Sequence, residues 1–441
     1  MHATEEPTVI RYDAGRVCLR GAVEQDALIT AEDMLNRLME TASPRALDLI
    51  TICAGVYALD RVSRRRKSVR NVSGTRDHRV VFEVADLAFW SRTETLERLT
   101  EILCLLTGDV WRISFAWRAA PYQTSSYQRI FKLEEPQPTR VALFSGGLDS
   151  AAGLANQLLL GNETYMLLTV GHAAAMRGRA RRQVDALRQL VHAPGLGHAS
   201  FVVCFDKGVA SNMKAQEKSQ RVRAFLFCAA AALLADARGI SEIELFENGV
   251  GAINLPLSEG SMLEGLSTRG AGPGFLRKMG AFASEVFGRP LCFSLPFQWE
   301  TKGEMLHKLA DRPRIAEWLQ RSNSCIHTSI RERRKRHCGH CPACIERRQA
   351  FFSAGIADDA RDYQIDLLSG HLPKQLHHLL AYLDSARRWE KGDAQLKARL
   401  ARHQTLSEMS HLPNDEVERL ILRHARESLH TFGNLGLQIA A

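Results

Sequence analysis

The chain of 441 residues has no long apolar run, no internal repeat and no compositionally simple tract. Each absence removes a class. A membrane-spanning helix needs about 20 consecutive apolar residues, whereas the best candidate, 224–235, is followed at once by Asp236 and Arg238. Without self-similarity at a fixed period, solenoid and propeller arrays are excluded. With 31 Gly and 14 Pro there is neither a collagen nor a linker composition. The first residues, Met1-His2-Ala3-Thr4-Glu5-Glu6, lack the basic-then-apolar order of a secretory signal. A cytoplasmic protein that does not enter the membrane is therefore expected. No G-x-x-x-x-G-K-[ST] is present, which excludes a Walker A loop. What remains is globular composition, 45% hydrophobic and 24% charged, with length for about three domains.

The formal charge of +9 is concentrated rather than spread. Residues 61–70 carry six Arg and Lys and no acid, 177–188 carry five against Asp185, and 326–348 carry seven against Glu332 and Glu346. These runs amount to +6, +4 and +5, so the rest of the chain is net −6. Local basic clusters suit a polyanion: nucleotide phosphates, a nucleic-acid backbone or an acidic partner surface. They leave a nucleic-acid partner open, although a solvated face is the simpler account of 61–70. Ten cysteines in a cytosolic chain of this size do not suggest a disulfide framework. Cys18, Cys53, Cys104, Cys204, Cys228 and Cys292 stand singly in apolar surroundings and read as small buried hydrophobes. The other four are clustered.

The stretch Glu134-Glu135-Pro136-Gln137-Pro138-Thr139 reads as a linker, since its prolines interrupt any helix or central strand. Before it, residues 8–12, 78–84 and 111–117 alternate as strands, and 31–39, 45–59 and 93–107 have helical periodicity. Residues 1–133 are thus expected to form an N-terminal α+β module. After the linker, strand-like runs at 141–144, 165–170, 201–205 and 242–246 alternate with helical ones at 151–160, 178–192 and 222–238. Such alternation predicts a doubly wound, parallel α/β sheet for 140–358. Residues 359–441, rich in Leu, His and Arg at helical spacing to about Leu429, are expected to be a helical appendage.

Two motifs carry chemistry. In Val141-Ala142-Leu143-Phe144-Ser145-Gly146-Gly147-Leu148-Asp149-Ser150, a short apolar strand runs through Ser-Gly-Gly-x-Asp-Ser into a helix. Adjacent glycines let the backbone turn tightly and aim its N–H groups at an anion. The helix N-terminus behind adds partial positive charge. Ser145 and Ser150 offer hydroxyl donors, and Asp149 is placed to hold a magnesium ion bridging phosphates. A plain Ser/Gly turn with an Asx cap is the bland alternative, and six specified residues at a strand-to-helix junction outweigh it. The motif resembles the signature of the PP-loop ATP pyrophosphatases, the superfamily of GMP synthetase, asparagine synthetase and NAD synthetase. That likeness implies an adenine nucleotide alpha hydrolase-like fold, cleavage of ATP between its α and β phosphates, and an adenylated intermediate.

The second motif is Cys325, then twelve residues, then Cys338-Gly339-His340-Cys341-Pro342-Ala343-Cys344. Two overlapping C-x-x-C knuckles and one remote Cys supply four thiolates, the number tetrahedral Zn2+ requires, and leave no open position for catalysis. A redox C-x-x-C pair is the weaker competitor, and an iron–sulfur cluster has the same ligand count. The basic loop 331–336 between the ligands is either solvated or held over whatever the site faces.

Together the two motifs resemble the QueC family of 7-cyano-7-deazaguanine synthases, over roughly Arg140 to Gly355. Arg223-Ala224-Phe225-Leu226-Phe227 is similar to the family's Arg-Asn-x-x-Phe, Thr301-Lys302-Gly303-Glu304 after Pro296 to its Ser/Asn-Lys-x-Glu, and Cys344-Ile345-Glu346-Arg347 to its Cys-x-x-Arg. The resemblance implies ATP-dependent activation of the carboxylate of 7-carboxy-7-deazaguanine, with ATP and magnesium held by Ser145, Gly146, Gly147, Leu148, Asp149 and Ser150. Lys302 and Arg223 would stabilise charge as pyrophosphate leaves. Glu247 and Asn248 would contact the substrate. Asn254 stands where the family has an Asp facing a purine-like edge, and an amide still donates and accepts there. The twelve-residue gap between cysteines, the N-terminal module and the tail depart from the family. With Leu105-Leu106-Thr107-Gly108-Asp109-Val110-Trp111 and the Glu247-Asn248-Gly249 turn, these additions resemble the QueC-like proteins of bacterial antiphage operons, those of the four-gene Qat system in particular. That likeness implies a partner protein from the same defence operon, whose N-terminal amine replaces ammonia as acceptor. A stand-alone nitrile synthase and a non-catalytic nucleic-acid-binding scaffold are the rival readings.

Overall fold

The structure, a computed structural model, describes residues 6–13, 15–31, 42–66, 74–122, 137–161, 163–171, 174–193, 195–205, 217, 219–257, 269–327, 336–369, 377–433 and 435. The helix expected over 31–39 lies outside these residues from 32 onward, as do residues 134–136 of the linker and 331–335 of the basic loop.

Strands β1 (Thr8–Asp13), β2 (Arg16–Gly21) and β3 (Gln25–Ala31) form an antiparallel meander. Helix α1 (Pro44–Val62) starts at Ser43, whose hydroxyl accepts the Ala46 N–H, with Pro44 in the first turn. It is buried on all sides, Asp48 and Asp60 included. Asp48 is satisfied there: it accepts from the Ala85 and Asp86 N–H groups and from Trp90 Nε1. The chain continues through β4 (Asp77–Val84), α2 (Leu87–Trp90), α3 (Thr93–Thr107) and β5 (Val110–Trp117), with β4 and β5 parallel.

The second block alternates as expected: β6 (Arg140–Leu143), α4 (Leu148–Leu160), β7 (Tyr165–Gly171), α5 (Ala174–Val191), β8 (Gly197–Phe205), α6 (Arg223–Ala237) and β9 (Glu242–Leu245). A short α7 (Gly249–Ile253), then α8 (Pro273–Phe287) and a three-residue β10 (Cys292–Ser294), complete it. All seven residues of β7 are buried, the pattern of a central parallel strand covered on both faces. Neighbours Val141 and Ala142 in β6 enter different cores, because successive side chains point to opposite faces. One core holds α1, α6 and α8, the other α4, α5 and α10 (Pro313–Gln320), so the sheet is wound on both sides.

The two blocks share one ten-stranded sheet, ordered β10-β9-β6-β7-β8-β3-β2-β1-β4-β5. Antiparallel pairing of β3 with β8, Ala27 opposite Phe205, joins them, and most other pairings are parallel. The first core likewise runs from Ile10 and Phe82 to Phe225 and Phe282. Strands β2, β3 and β10 were not anticipated from sequence. Beyond the sheet come α9 (Lys302–His307), α11 (Pro342–Ser353) and the tail helices α12 (His377–Glu390), α13 (Ala394–Leu406) and α14 (Asn414–Phe432). Helix α14 packs against α11, α12 and α7, so the helical tail is built onto the domain it follows. No described helix is long and apolar enough to cross a membrane.

Two sequence expectations are corrected. Among the six single cysteines, Cys18, Cys53 and Cys228 are buried, but Cys104 and Cys204 are half-buried and Cys292 is exposed, because β10 is an edge strand. The described part of the run 61–70 is not simply a solvated face. Arg65 is largely buried and donates two hydrogen bonds of 2.7 Å to Asp109.

Candidate active site

Strand β6 has β7 on one side and β9 on the other. The loops leaving β6 and β9 therefore depart from adjacent strand ends and open a crevice, the usual ligand position in an open α/β sheet. The Ser145–Ser150 loop follows β6, and Glu247 and Asn248 follow β9. Gly146 has φ of +72°, which an L side chain rarely adopts, and a Cβ there would lie 2.9 Å from Gln183 Oε1. Gly147 caps α4 and donates its N–H to Ser145 Oγ at 3.1 Å, while Ser150 Oγ donates to Gly147 O at 3.0 Å. Leu148 is buried and anchors the first turn of α4, leaving Ser145 exposed at the loop's tip.

Asn248 links the two loops. Its Nδ2 donates to Asp149 Oδ1 at 2.8 Å and its Oδ1 accepts the Gly251 N–H at 3.0 Å, capping α7. A third connection, leaving β10, brings Lys302. Thr301 and Glu304 form a capping box at the start of α9, each side chain bonding the other's backbone N–H, and this sets Lys302 in the first turn. Lys302 Nζ lies 3.1 Å from Asp149 Oδ2 and 2.9 Å from Glu346 Oε2. Tyr382, from the tail, donates to Glu346 Oε1 at 2.6 Å. Burial pushes Glu247 up to about 8, with Asp149 adding to the shift and Lys302 opposing it. Arg223 opens α6 on the exposed side of this site, near enough for its charge to act on Glu247.

The structure thus gathers Asp149, Glu247, Asn248 and Lys302 with the loop and puts Arg223 beside them. Asn254 caps the C-terminal end of α7 with φ of +46° and lines a cavity of about 390 Å³ between residues 250–257 and the tail helices. Glu346, Tyr382 and His424 are members of the same constellation that sequence did not single out. Glu346 carried a faint signal as an acid inside a basic run. Tyr382 and His424 carried none.

The cysteine cluster sits next to the loop. The Asn323 N–H donates to Gly146 O at 3.0 Å, two residues before Cys325. Four thiolates about 2.3 Å from one zinc ion lie about 3.8 Å from each other. Cys338 Sγ and Cys344 Sγ are 3.8 Å apart, and the ligand atoms of Cys325, Cys338, Cys341 and Cys344 all lie within 4.8 Å of one another, buried. The Cys338 and Cys341 N–H groups point at Cys325 Sγ and Cys338 Sγ, 3.4 and 3.3 Å away. Gly339 turns the knuckle with φ of +88°, where a Cβ would fall 1.7 Å from Ile365 O. This donor set fits a tetrahedral metal such as zinc, with no side left open. Arg347, fully buried, ties the knuckle's helix to the segment before it through Ser322 and Gln320 and to the segment after it through Tyr363 and Asp358.

A mostly parallel, doubly covered sheet with its loop at the switch point places the molecule among open α/β proteins, here with a four-thiolate cluster that could hold a metal beside the crevice. Residues 139–355 match the family model described as Queuosine biosynthesis protein QueC, and over that stretch the chain is QueC-like. It is 27% identical over 238 residues to the 7-cyano-7-deazaguanine synthase of Thiobacillus denitrificans, a match covering 51% of this chain and 98% of that protein. Strands β1–β5 and helices α12–α14 fall outside the match to the family model.

Proposed function

We propose that the protein is an ATP-dependent ligase that adenylates the carboxylate of 7-carboxy-7-deazaguanine and transfers the acyl group to an amine, the N-terminus of a partner protein from the same antiphage defence operon. The carrying observation is the Asp149–Lys302–Glu346 chain closing the crevice beside the Ser145–Ser150 loop, within the QueC-like stretch. A carboxylate oxygen attacks the α-phosphorus of ATP, the bond to the bridging α–β oxygen breaks, and pyrophosphate departs. The amine nitrogen then attacks the acyl carbon, AMP leaves, and the nitrogen gives up a proton. In this reading the loop N–H groups and the α4 N-terminus hold the phosphates. Lys302 and Arg223 offset the charge that grows on the leaving group. Asp149 is the group that would hold magnesium, which draws charge from phosphate oxygens when bound. The four cysteines hold zinc as a structural staple. Residues 1–133 and 359–441, outside the family's stretch, are assigned to acceptor docking and site building.

Ammonia as acceptor is the second reading, favoured by the similarity to a 7-cyano-7-deazaguanine synthase. Intact mass of a co-expressed operon partner separates them. A deazaguanine acyl adduct formed by wild type and not by Asp149→Ala is expected. AMP and free 7-cyano-7-deazaguanine without an adduct would establish the nitrile synthase, and neither product would leave only a scaffold.

A further inference from the structure

A cavity of about 390 Å³ has as one wall the tail, which the family match leaves out. Residues 250–257, with Asn254, Leu255 and Pro256, form one side. Helices α12, α13 and α14 form the other through Tyr382, Ser385, Trp389, Leu396, Ile421 and His424. The volume falls in the small-molecule range of about 300–1,000 Å³ and is too small for a folded partner's surface.

Three observations say what fits it. First, Glu346 stands in the cavity wall and bonds Lys302, which bonds Asp149, so the cavity's polar end adjoins the crevice where the phosphate loop lies. An occupant seated among the tail helices has Glu346 and Tyr382 at its inner end, and Lys302 is bonded to Glu346 there. Second, the wall is largely carbon and aromatic surface, with Asn254 and Ser385 among its few polar residues. Third, the charged group of this wall, Glu346, is already matched by Lys302 and Tyr382, and burial pushes His424 below its ordinary pKa, with Glu346 opposing and Lys302 adding. Such walls suit an uncharged flat ring, and not a phosphate chain.

We propose that this cavity holds the deazaguanine ring with its carboxylate toward Lys302, and that the tail helices, through Trp389, Ser385 and His424, determine which ring is accepted. The assignment rests on the ligase reading above and adds to it that the tail is part of the substrate site.

The test titrates 7-carboxy-7-deazaguanine into the full chain holding α,β-methylene-ATP, which cannot be cleaved between the α and β phosphates. Wild type is compared with Ser385→Trp and Ala381→Phe, two variants that fill the cavity from α12. Each should weaken binding of the ring at least tenfold, while affinity for the ATP analogue and Tm stay near wild type. Hydrogen exchange on wild type should show ring-dependent protection within 377–390 and 414–432, a readout that stands if either variant fails to fold. Wild-type affinity in both folded variants, or protection confined to the loop after β6, overturns the cavity assignment alone. Wild type that binds the ATP analogue and not the ring overturns the ligase reading, and the cavity assignment with it.

Discussion

Burial alone would strip the proton from Lys302, but Asp149, Glu346 and Glu247 hold it on, above the ordinary lysine value. Glu346 shows the converse. Burial would raise it, and Lys302, the Tyr382 hydroxyl and His424 keep it below the usual carboxylate range. Each charge state follows from partners brought by other elements. Asp149 and Lys302 were legible because their motifs are local, a glycine turn and a Thr-Lys-x-Glu stretch that resembles the family's. Glu346 and Tyr382 were not, since what brings them together beside Lys302 is a contact across 36 residues of chain. A further carboxylate carries a pH prediction. Burial raises Glu427, on α14, to about 7, with Glu304 adding while Thr301, Gln349 and Arg423 pull down. The folded state therefore holds a proton that the unfolded chain, near its ordinary value of 4.5, releases. Native binding exceeds unfolded binding between those two values, so this group's contribution falls as pH rises through that window. Glu427→Gln should flatten the decline in stability between pH 5 and 8, a difference of roughly 1–3 kcal/mol. Thermal melts across that range check it, and parallel curves for variant and wild type would refute it.

At the scale of elements, the knuckle was the most readable part of the chain because ligand number and spacing are covalent facts. The Gly339 turn and the Ile365 carbonyl pressed against it depend on a later segment. Cys341→Ser removes one of four thiolates, and since structural metal affinity is coupled to folding, zinc content should drop below one equivalent. Tm should fall by several degrees, given that about 1 kcal/mol shifts it by roughly 2–4 °C in a domain of 150–250 residues. Full zinc and an unchanged Tm by metal analysis and calorimetry would remove Cys341 from the ligand set. Strands β2 and β3 escaped sequence reading for a different reason. Their six and seven residues, RVCLRG and QDALITA, mix charge with apolar positions and acquire strand character from pairing with β1, β8 and each other.

At the scale of the whole molecule, the N-terminal strands and the QueC-like block are held by a shared sheet, and a buried ionic cluster of the N-terminal module lies beside hydrogen bonds that cross to residues 217–221. Asp109 accepts from Arg65 and Arg76, and Arg76 also reaches Asp60 at the end of α1. Nearby, Arg221 at the approach to α6 donates to Thr107 O, and Arg61 donates to Glu217 O. Burial would raise Asp109, but His78, Arg76 and Arg65 hold it far below the usual carboxylate range. Asp109→Asn leaves buried guanidinium charge without its counter-ion, a change that typically costs about 3–5 kcal/mol. Urea unfolding should show one transition moved to lower denaturant, because the same core continues from Ile10 to Phe282. Two separate transitions would mean that the blocks unfold independently.

The sequence by itself determined the local chemistry: the Ser-Gly-Gly-x-Asp-Ser turn between strand and helix, the four-thiolate spacing, the Thr-Lys-x-Glu stretch that carries Lys302, and the alternation of β and α that makes a parallel sheet. Those follow from interactions among residues a few positions apart, which pattern records. Tertiary structure alone decided that the first strands extend the second block's sheet through β3 and β8, and that α12 and α14 wall the site with Tyr382 and His424. Strand partners and buried ion pairs between distant segments depend on which surfaces exclude water together, and only the folded chain brings those surfaces into contact.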